Sequence, residues 1–368
     1  MFVVPLAHED AEARRWPIVT SVLIAVNVLV FVLCSFAERA AVPRVEALEN
    51  EVAAYAEAHP YLRAPEAIAG VPIDMRSGWG APRPPAGADV EDEQRHLDAL
   101  VVELEGAIED LPARRFGFVP RRMNLLGLVT SQFLHGGVLH LAFNMWFMWL
   151  CACNLEDRWG RLVFPCFFLI AGVVAALSQA AFAPDSPIPM IGASGAVAGA
   201  MGAFLITHAR TRVTLFYLYF LFLMPRWGTF RAPAWAVLVL WLLGELLSGA
   251  LTPAGAPGVA HWAHVGGFAF GVAAAFGMRA SGLDRRLDAA VEKASVLVAQ
   301  DPRVLDAAER TDRGDARGAI PILEGCSASG LAIWTRTSSC SARRGRPPTR
   351  RASARPTPAW SGSTRRRG

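Results

Sequence analysis

Residues 17–37 carry no charged side chain, and apolar stretches of comparable length recur down the chain. About 20 such residues cross the hydrocarbon core of a bilayer as a helix. Backbone in hydrocarbon must satisfy its own N–H and C=O groups, so a spanning segment is a helix or part of a closed barrel. The later stretches lie near 126–153, 161–183, 189–208, 232–249 and 259–278. Their predominantly apolar character predicts helices, hence an all-α membrane protein with six transmembrane helices. Composition agrees: 53% of residues are hydrophobic and 18% charged, against about 25% charged in soluble domains. A cleaved signal peptide competes for 17–37, because Ser35-Phe36-Ala37 resembles a cleavage site. The run is long for that purpose, and Glu9, Asp10 and Glu12 spoil the expected basic leader.

The segments between the spans divide the rest of the chain. Residues 1–16 are short and polar. Residues 38–120 form a polar insert in which 44–58 and about 90–110 read as amphipathic helices, with proline- and glycine-rich loop over 71–88. This predicts a small helical cap at the membrane surface. Residues 121–280 hold the remaining five spans, 281–324 a charged helical segment, and 325–368 an arginine-, serine- and proline-rich tail that reads as disorder. The apolar stretch 213–224 is too short to span and is bracketed by Arg210, Arg212 and Arg226. It is expected in the interface, with Tyr217 and Tyr219 at headgroup depth.

Arginine marks one side of the membrane. The 154–160 connection carries Arg158, the 209–231 connection carries Arg210, Arg212, Arg226 and Arg231, and Arg279, Arg285 and Arg286 follow the last span. The alternate connections 184–188 and 250–258 carry none. The expectation is that both termini are cytoplasmic and the 38–120 insert lies outside. The net charge of +4 comes largely from the tail, so a nucleic-acid partner does not follow. Six cysteines give neither a disulfide framework nor a CxxC metal pair, and no cofactor is called for.

The stretch Ile191-Gly192-Ala193-Ser194-Gly195, with Gly199 four residues on, is first of all a packing seam. Topology adds a second reading. Ser194 lies about five residues inside the outer end of its helix, roughly 7 Å down, and His264 lies about five residues inside the outer end of the last. Both helices enter from the same side, and the last carries its own seam at Gly267 and Gly271. Equal depth and close approach permit a serine–histidine pair. His140 and Asn144, four apart on one helix face, could supply donors to an oxyanion together with the Ser194 backbone N–H. Each also has a plain role in interhelical packing. His261 is an alternative base, one turn outward from His264. No carboxylate lies near His264 in sequence, so a dyad is the economical arrangement. A metal centre built on His135, His140, His261 and His264 is disfavoured, for want of a carboxylate and of an H-E-x-x-H pattern.

With these residues in place the chain resembles the rhomboid intramembrane serine proteases. The resemblance covers most of 16–37 and 123–280. It rests on His140-x-x-x-Asn144, on Gly192-Ala193-Ser194-Gly195 and on Ala263-His264-x-x-Gly267-x-x-x-Gly271, in that order. It implies a six-helix bundle in a bacterial inner membrane, with a Ser194–His264 dyad in a water-filled cavity open to the outside. It further implies an oxyanion site from His140, Asn144 and backbone amide, and cleavage of single- or multi-pass membrane-protein substrates near the outer ends of their spans. Glu156-Asp157-Arg158-Trp159-Gly160 is similar to the family's turn after the second helix. The chain departs from many members in having Leu126-Gly127 where they have a Trp-Arg pair, and in its long insert. A catalytically inactive relative that binds transmembrane helices is the alternative. A transporter or channel fits less well, since the inner halves of the fourth and sixth spans are almost wholly apolar.

Overall fold

The computed structural model describes residues 2–8, 15–63, 67–68, 71–72, 83–87, 89–221, 224–253, 258–299 and parts of 306–322. The tail expected over 325–368 lies outside the described residues. The chain divides into two units, 1–301 and 302–368. In the second, described residues include helical turns stapled by the Asp306–Arg310 and Glu309–Arg313 pairs.

In chain order the first unit comprises strand β1 (Phe2–His8), helix α1 (Ile18–Ala58), the two-residue strands β2 (Ala67–Ile68) and β3 (Val71–Pro72), α2 (Val90–Glu109), α3 (Pro112–Phe116), α4 (Leu125–Thr130), α5 (Val138–Phe182), α6 (Ser194–Thr207), β4 (Arg212–Leu221), β5 (Met224–Pro233), α7 (Ala234–Leu251), α8 (His261–Ala280) and α9 (Leu283–Ala299). Among the described residues, α1, α5 and α7 are long and apolar enough to cross a membrane. Leu29, Leu33, Phe36, Leu240 and Leu247 stand exposed along α1 and α7, as lipid-facing residues do. The molecule is an integral membrane protein with an all-α membrane fold.

Helix α1 does not stop where its apolar run stops. Glu38-Arg39-Ala40-Ala41 contains no breaker, and the helix continues through Pro43 to Ala58. Its far end is the first amphipathic stretch of the insert. There Val45, Leu48 and Val52 pack against Leu97, Leu100 and Leu104 of α2. Asp89 caps α2 by accepting from the Asp92 N–H, and acidic residues fill the first turn, where they oppose the positive end of the helix dipole.

Helix α5 joins two of the expected spans across a kink at Gly160 (φ 83°), a left-handed conformation that favours glycine. The residues before it tie three helices together. Glu156, 2% exposed, accepts from the Val19 and Thr20 N–H groups and the Thr20 hydroxyl at 3.0, 2.8 and 2.9 Å, so it caps α1 from a distance. Asp157 pairs with Arg15 at 3.8 Å. Asp284 of α9 accepts two bonds from Arg158, both 2.7 Å, and one from the Trp159 indole at 2.9 Å.

The Arg158 guanidinium bonded to Asp284 holds that carboxyl below its usual range. A depressed carboxyl contributes stability above its unfolded value, near 4, and loses it as pH falls through the lower folded value. Asp284→Asn is therefore expected to cost about 2–3 kcal/mol at neutral pH. The gap in detergent melting temperature between variant and wild type should close as the buffer is acidified below about pH 4. A gap that persists unchanged at low pH would contradict this.

The stretch 213–224 takes a form that its sequence does not announce. Most of it is β4, which pairs antiparallel with β1 and β5 in the sheet order β1-β4-β5. Strands on both sides therefore pair with the backbone of β4.

Candidate active site

Helix α6 is the centre of the bundle. Every residue from Gly195 to Phe204 is buried. The stretch expected as a span over 189–208 is helical only from Ser194; the preceding segment is extended loop. That loop is fastened along its length. Phe118 and Met190 exchange backbone bonds at 3.1 and 2.8 Å, Arg121 N–H donates to Ser186 O at 3.1 Å, and Gly192 N–H donates to Ser131 O at 2.8 Å. Asn124 holds the partner strand of this zipper, accepting from Val119 N–H and donating to Gly117 O. Gly127 packs so tightly there that an added Cβ would meet Gly117 O at 2.5 Å and Phe118 Cα at 2.8 Å. Gly127 thus serves backbone packing.

Gly192 has φ 122°, and a Cβ on it would lie 2.8 Å from His140 Nε2 and 3.6 Å from Ser194 Oγ. The position thus admits only glycine and sets His140 and Ser194 on either side of one small space. Ser194 is the first residue of α6, so its N–H has no intrahelical acceptor and points with the positive end of the dipole.

Small residues seat α6 between α5 and α8. A Cβ on Gly195 would meet Ala175 Cβ at 2.5 Å, and one on Gly199 would meet Ala171 Cβ at 2.6 Å and Gly267 O at 3.2 Å. A Cβ on Gly267 would collide with the carbonyl of Gly195, and one on Gly271 with that of Gly199. This register puts His264 in the same cavity as Ser194. The cavity measures about 640 Å³, and its lining includes His140, Asn144, Gln179, Ser194, Trp241, Glu245 and His264. His261 is absent from that lining, which separates it from its neighbour as a base. Among the described residues no hydrogen bond joins Ser194 to His264.

His140 Nδ1 accepts a long bond from Gly136 N–H at 3.5 Å. Its other nitrogen, Nε2, faces Gly192, where a proton on it would point into the small space between His140 and Ser194. Asn144 is buried and gives one amide proton to His140 O at 2.9 Å, leaving the other for a ligand.

Sequence reading missed Glu245. Its Oε2 lies 2.9 Å from His264 Nδ1 and 2.8 Å from His261 Nδ1. The carboxylate that seemed lacking near His264 comes from α7, nineteen residues upstream. The signal was present: Glu245 is the single charged residue between Ala234 and Leu251, and an ionisable group in a span is by default functional. Glu245, His261 and His264 also form a group whose ligand atoms all lie within 4.8 Å and could hold a metal ion. The two Glu245–histidine separations, 2.8 and 2.9 Å, are hydrogen-bond lengths. The four histidines fall into two pairs: His135 lies against His140, with ring centroids 5.1 Å apart, and His261 against His264, at 6.5 Å.

Comparison with known proteins identifies the part of the chain that holds this cavity. Residues 122–281 match the rhomboid domain family. This part of the chain is a rhomboid domain. The chain is 36% identical over 85 residues to "Rhomboid protease GluP" of Bacillus subtilis (strain 168), covering 23% of this chain and 16% of that protein. It is 29% identical over 150 residues to "RHOMBOID-like protein 6, mitochondrial" of Arabidopsis thaliana, 40% of this chain and 42% of the relative. It is 27% identical over 203 residues to "Rhomboid-like protease 5" of Toxoplasma gondii, 55% of this chain and 21% of the relative. The matches span less than half the length of each of these relatives. The rhomboid match begins at Arg122 and so contains α4 to α8, with every candidate site residue, while α1 and the insert lie ahead of it.

Proposed function

We propose that the chain is an intramembrane serine endopeptidase that cuts transmembrane segments of membrane proteins near their extracytoplasmic ends. The observation that carries this is the convergence of Ser194, His264, His140 and Asn144 on one cavity. Ser194 Oγ attacks the peptide carbonyl while His264 Nε2 takes its proton. The carbonyl oxygen becomes an oxyanion held by His140 Nε2–H, the free Asn144 amide proton and the Ser194 N–H. His264 then gives its proton to the leaving amine. Water, deprotonated by the same nitrogen, hydrolyses the acyl-enzyme and restores Ser194. Two protease-named relatives support the reaction class.

The membrane arrangement belongs to the same proposal. The two halves of α5 and the helices α1, α6, α7 and α8 make six spans. Both termini face the cytoplasm, the cavity and the 38–120 insert face outward, and the membrane is a bacterial inner membrane.

An inactive client-binding relative is the second reading, favoured by the missing Ser194–His264 hydrogen bond. Catalytic bonds are often long without substrate and tighten on binding, so the geometry does not decide. A fluorophosphonate probe does. Wild type in detergent micelles is expected to label and Ser194→Ala not to label. Wild type that stays unlabelled would favour the binding role.

A further inference from the structure

We infer that Glu245 is a positioning residue for His264, so that the site works as a Ser194–His264–Glu245 relay; this rests on the hydrolase reading above.

Trp241, Glu245 and Gly249 are four residues apart and share one face of α7. Each meets α8. Trp241 lies against the His264 and Phe268 rings, with centroids 6.0 and 5.9 Å apart. A Cβ on Gly249 would sit 3.2 Å from His261 Cβ. The carboxylate between them is 14% exposed. A carboxylate in such surroundings is costly unless paired, and it is paired twice. Both bonds end on the same oxygen and both start from Nδ1.

The chemistry follows from which nitrogen is used. A carboxylate oxygen only accepts, so His264 Nδ1 carries a proton. Neutral His264 then has its lone pair on Nε2, the nitrogen a base needs free for the Ser194 hydroxyl. When Nε2 takes that proton, the charge appears on a ring already bonded to a carboxylate. Glu245 itself takes no proton. His261 does not line the cavity and holds the same oxygen, giving the carboxylate a second anchor.

A purely structural clamp between α7 and α8 would look similar, and kinetics separate the two. Glu245→Gln can place an amide N–H against Nδ1 and so favours the wrong tautomer. It is expected to lower kcat on a transmembrane reporter in liposomes by about 10²- to 10⁴-fold, with KM within about threefold of wild type. Glu245→Asp keeps the acceptor and is expected to recover at least tenfold of that loss. Should Glu245→Gln lose its folded melting transition, the comparison moves to Glu245→Asp and Glu245→Ala, with the same order expected. Wild-type kcat in folded Glu245→Gln, or Glu245→Asp no better than Glu245→Gln, overturns the relay but leaves the dyad standing. Wild type that neither cleaves nor labels sinks the hydrolase reading instead.

Discussion

Ser194→Ala is expected to cut turnover of a transmembrane reporter by at least about 10³-fold, and His264→Ala by a similar factor. Residues that act as a unit do not contribute additively, so either loss should remove nearly all that both together supply. Folding should survive the serine change. Ser194 Oγ has no hydrogen-bond partner among the described residues, so its removal strands no buried group. His264→Ala removes one donor from Glu245, but His261 still holds the same oxygen at 2.8 Å. The measurement is reporter cleavage in liposomes, with circular dichroism and detergent melting on the same preparations. A folded Ser194→Ala protein cleaving at the wild-type rate would show that some other group is the nucleophile.

The residues that announce themselves in sequence are those whose role is local. Gly192-Ala193-Ser194-Gly195 is readable because it needs glycine on both sides of a helix start. His140 and Asn144 are readable because four residues make a helix face. The expected depth of Ser194 comes from counting helix from residue 189, whereas α6 begins at Ser194 itself and α8 three residues before His264; what seats the two helices together is the glycine seam. Glu245 escapes this kind of counting. Its partners are on another helix, and nothing in its own neighbourhood says which face of α7 meets α8. Only its charge in an apolar run singles it out. Helix α1 fails for the opposite reason: hydropathy marks where lipid contact ends, near residue 37, but says nothing about where helical hydrogen bonding ends. The strand at 212–221 escapes because one partner, β1, lies some two hundred residues away, and because Leu221-Phe222-Leu223-Met224 carries no turn residue to announce the pairing of β4 with β5. The Glu156–Gly160 turn was legible as a resemblance only. Its work, capping α1 and clamping Asp284, depends on elements at both ends of the chain.

The glycine seam gives the second large effect, and it ties packing to chemistry. Gly271→Ala adds one carbon where the Gly199 carbonyl already sits. Neither atom can swing away, because both belong to helical backbone, so α8 must move off α6. Overpacking of this kind typically costs 1–3 kcal/mol. Here the obstacle is backbone, so about 3 kcal/mol or more is expected. Gly277→Ala on the same helix is the control. A Cβ there meets nothing within 4 Å, and replacing glycine inside a helix should gain up to about 1 kcal/mol. Detergent melting of the two variants should therefore move in opposite directions. Activity carries the sharper test. His264 rides on α8 seven residues before Gly271, so separating the helices draws it away from Ser194. Gly271→Ala should lose reporter cleavage even at temperatures where it remains folded, while Gly277→Ala keeps it. Equal activity in folded samples of both would mean that the α6–α8 spacing does not govern the reach of His264.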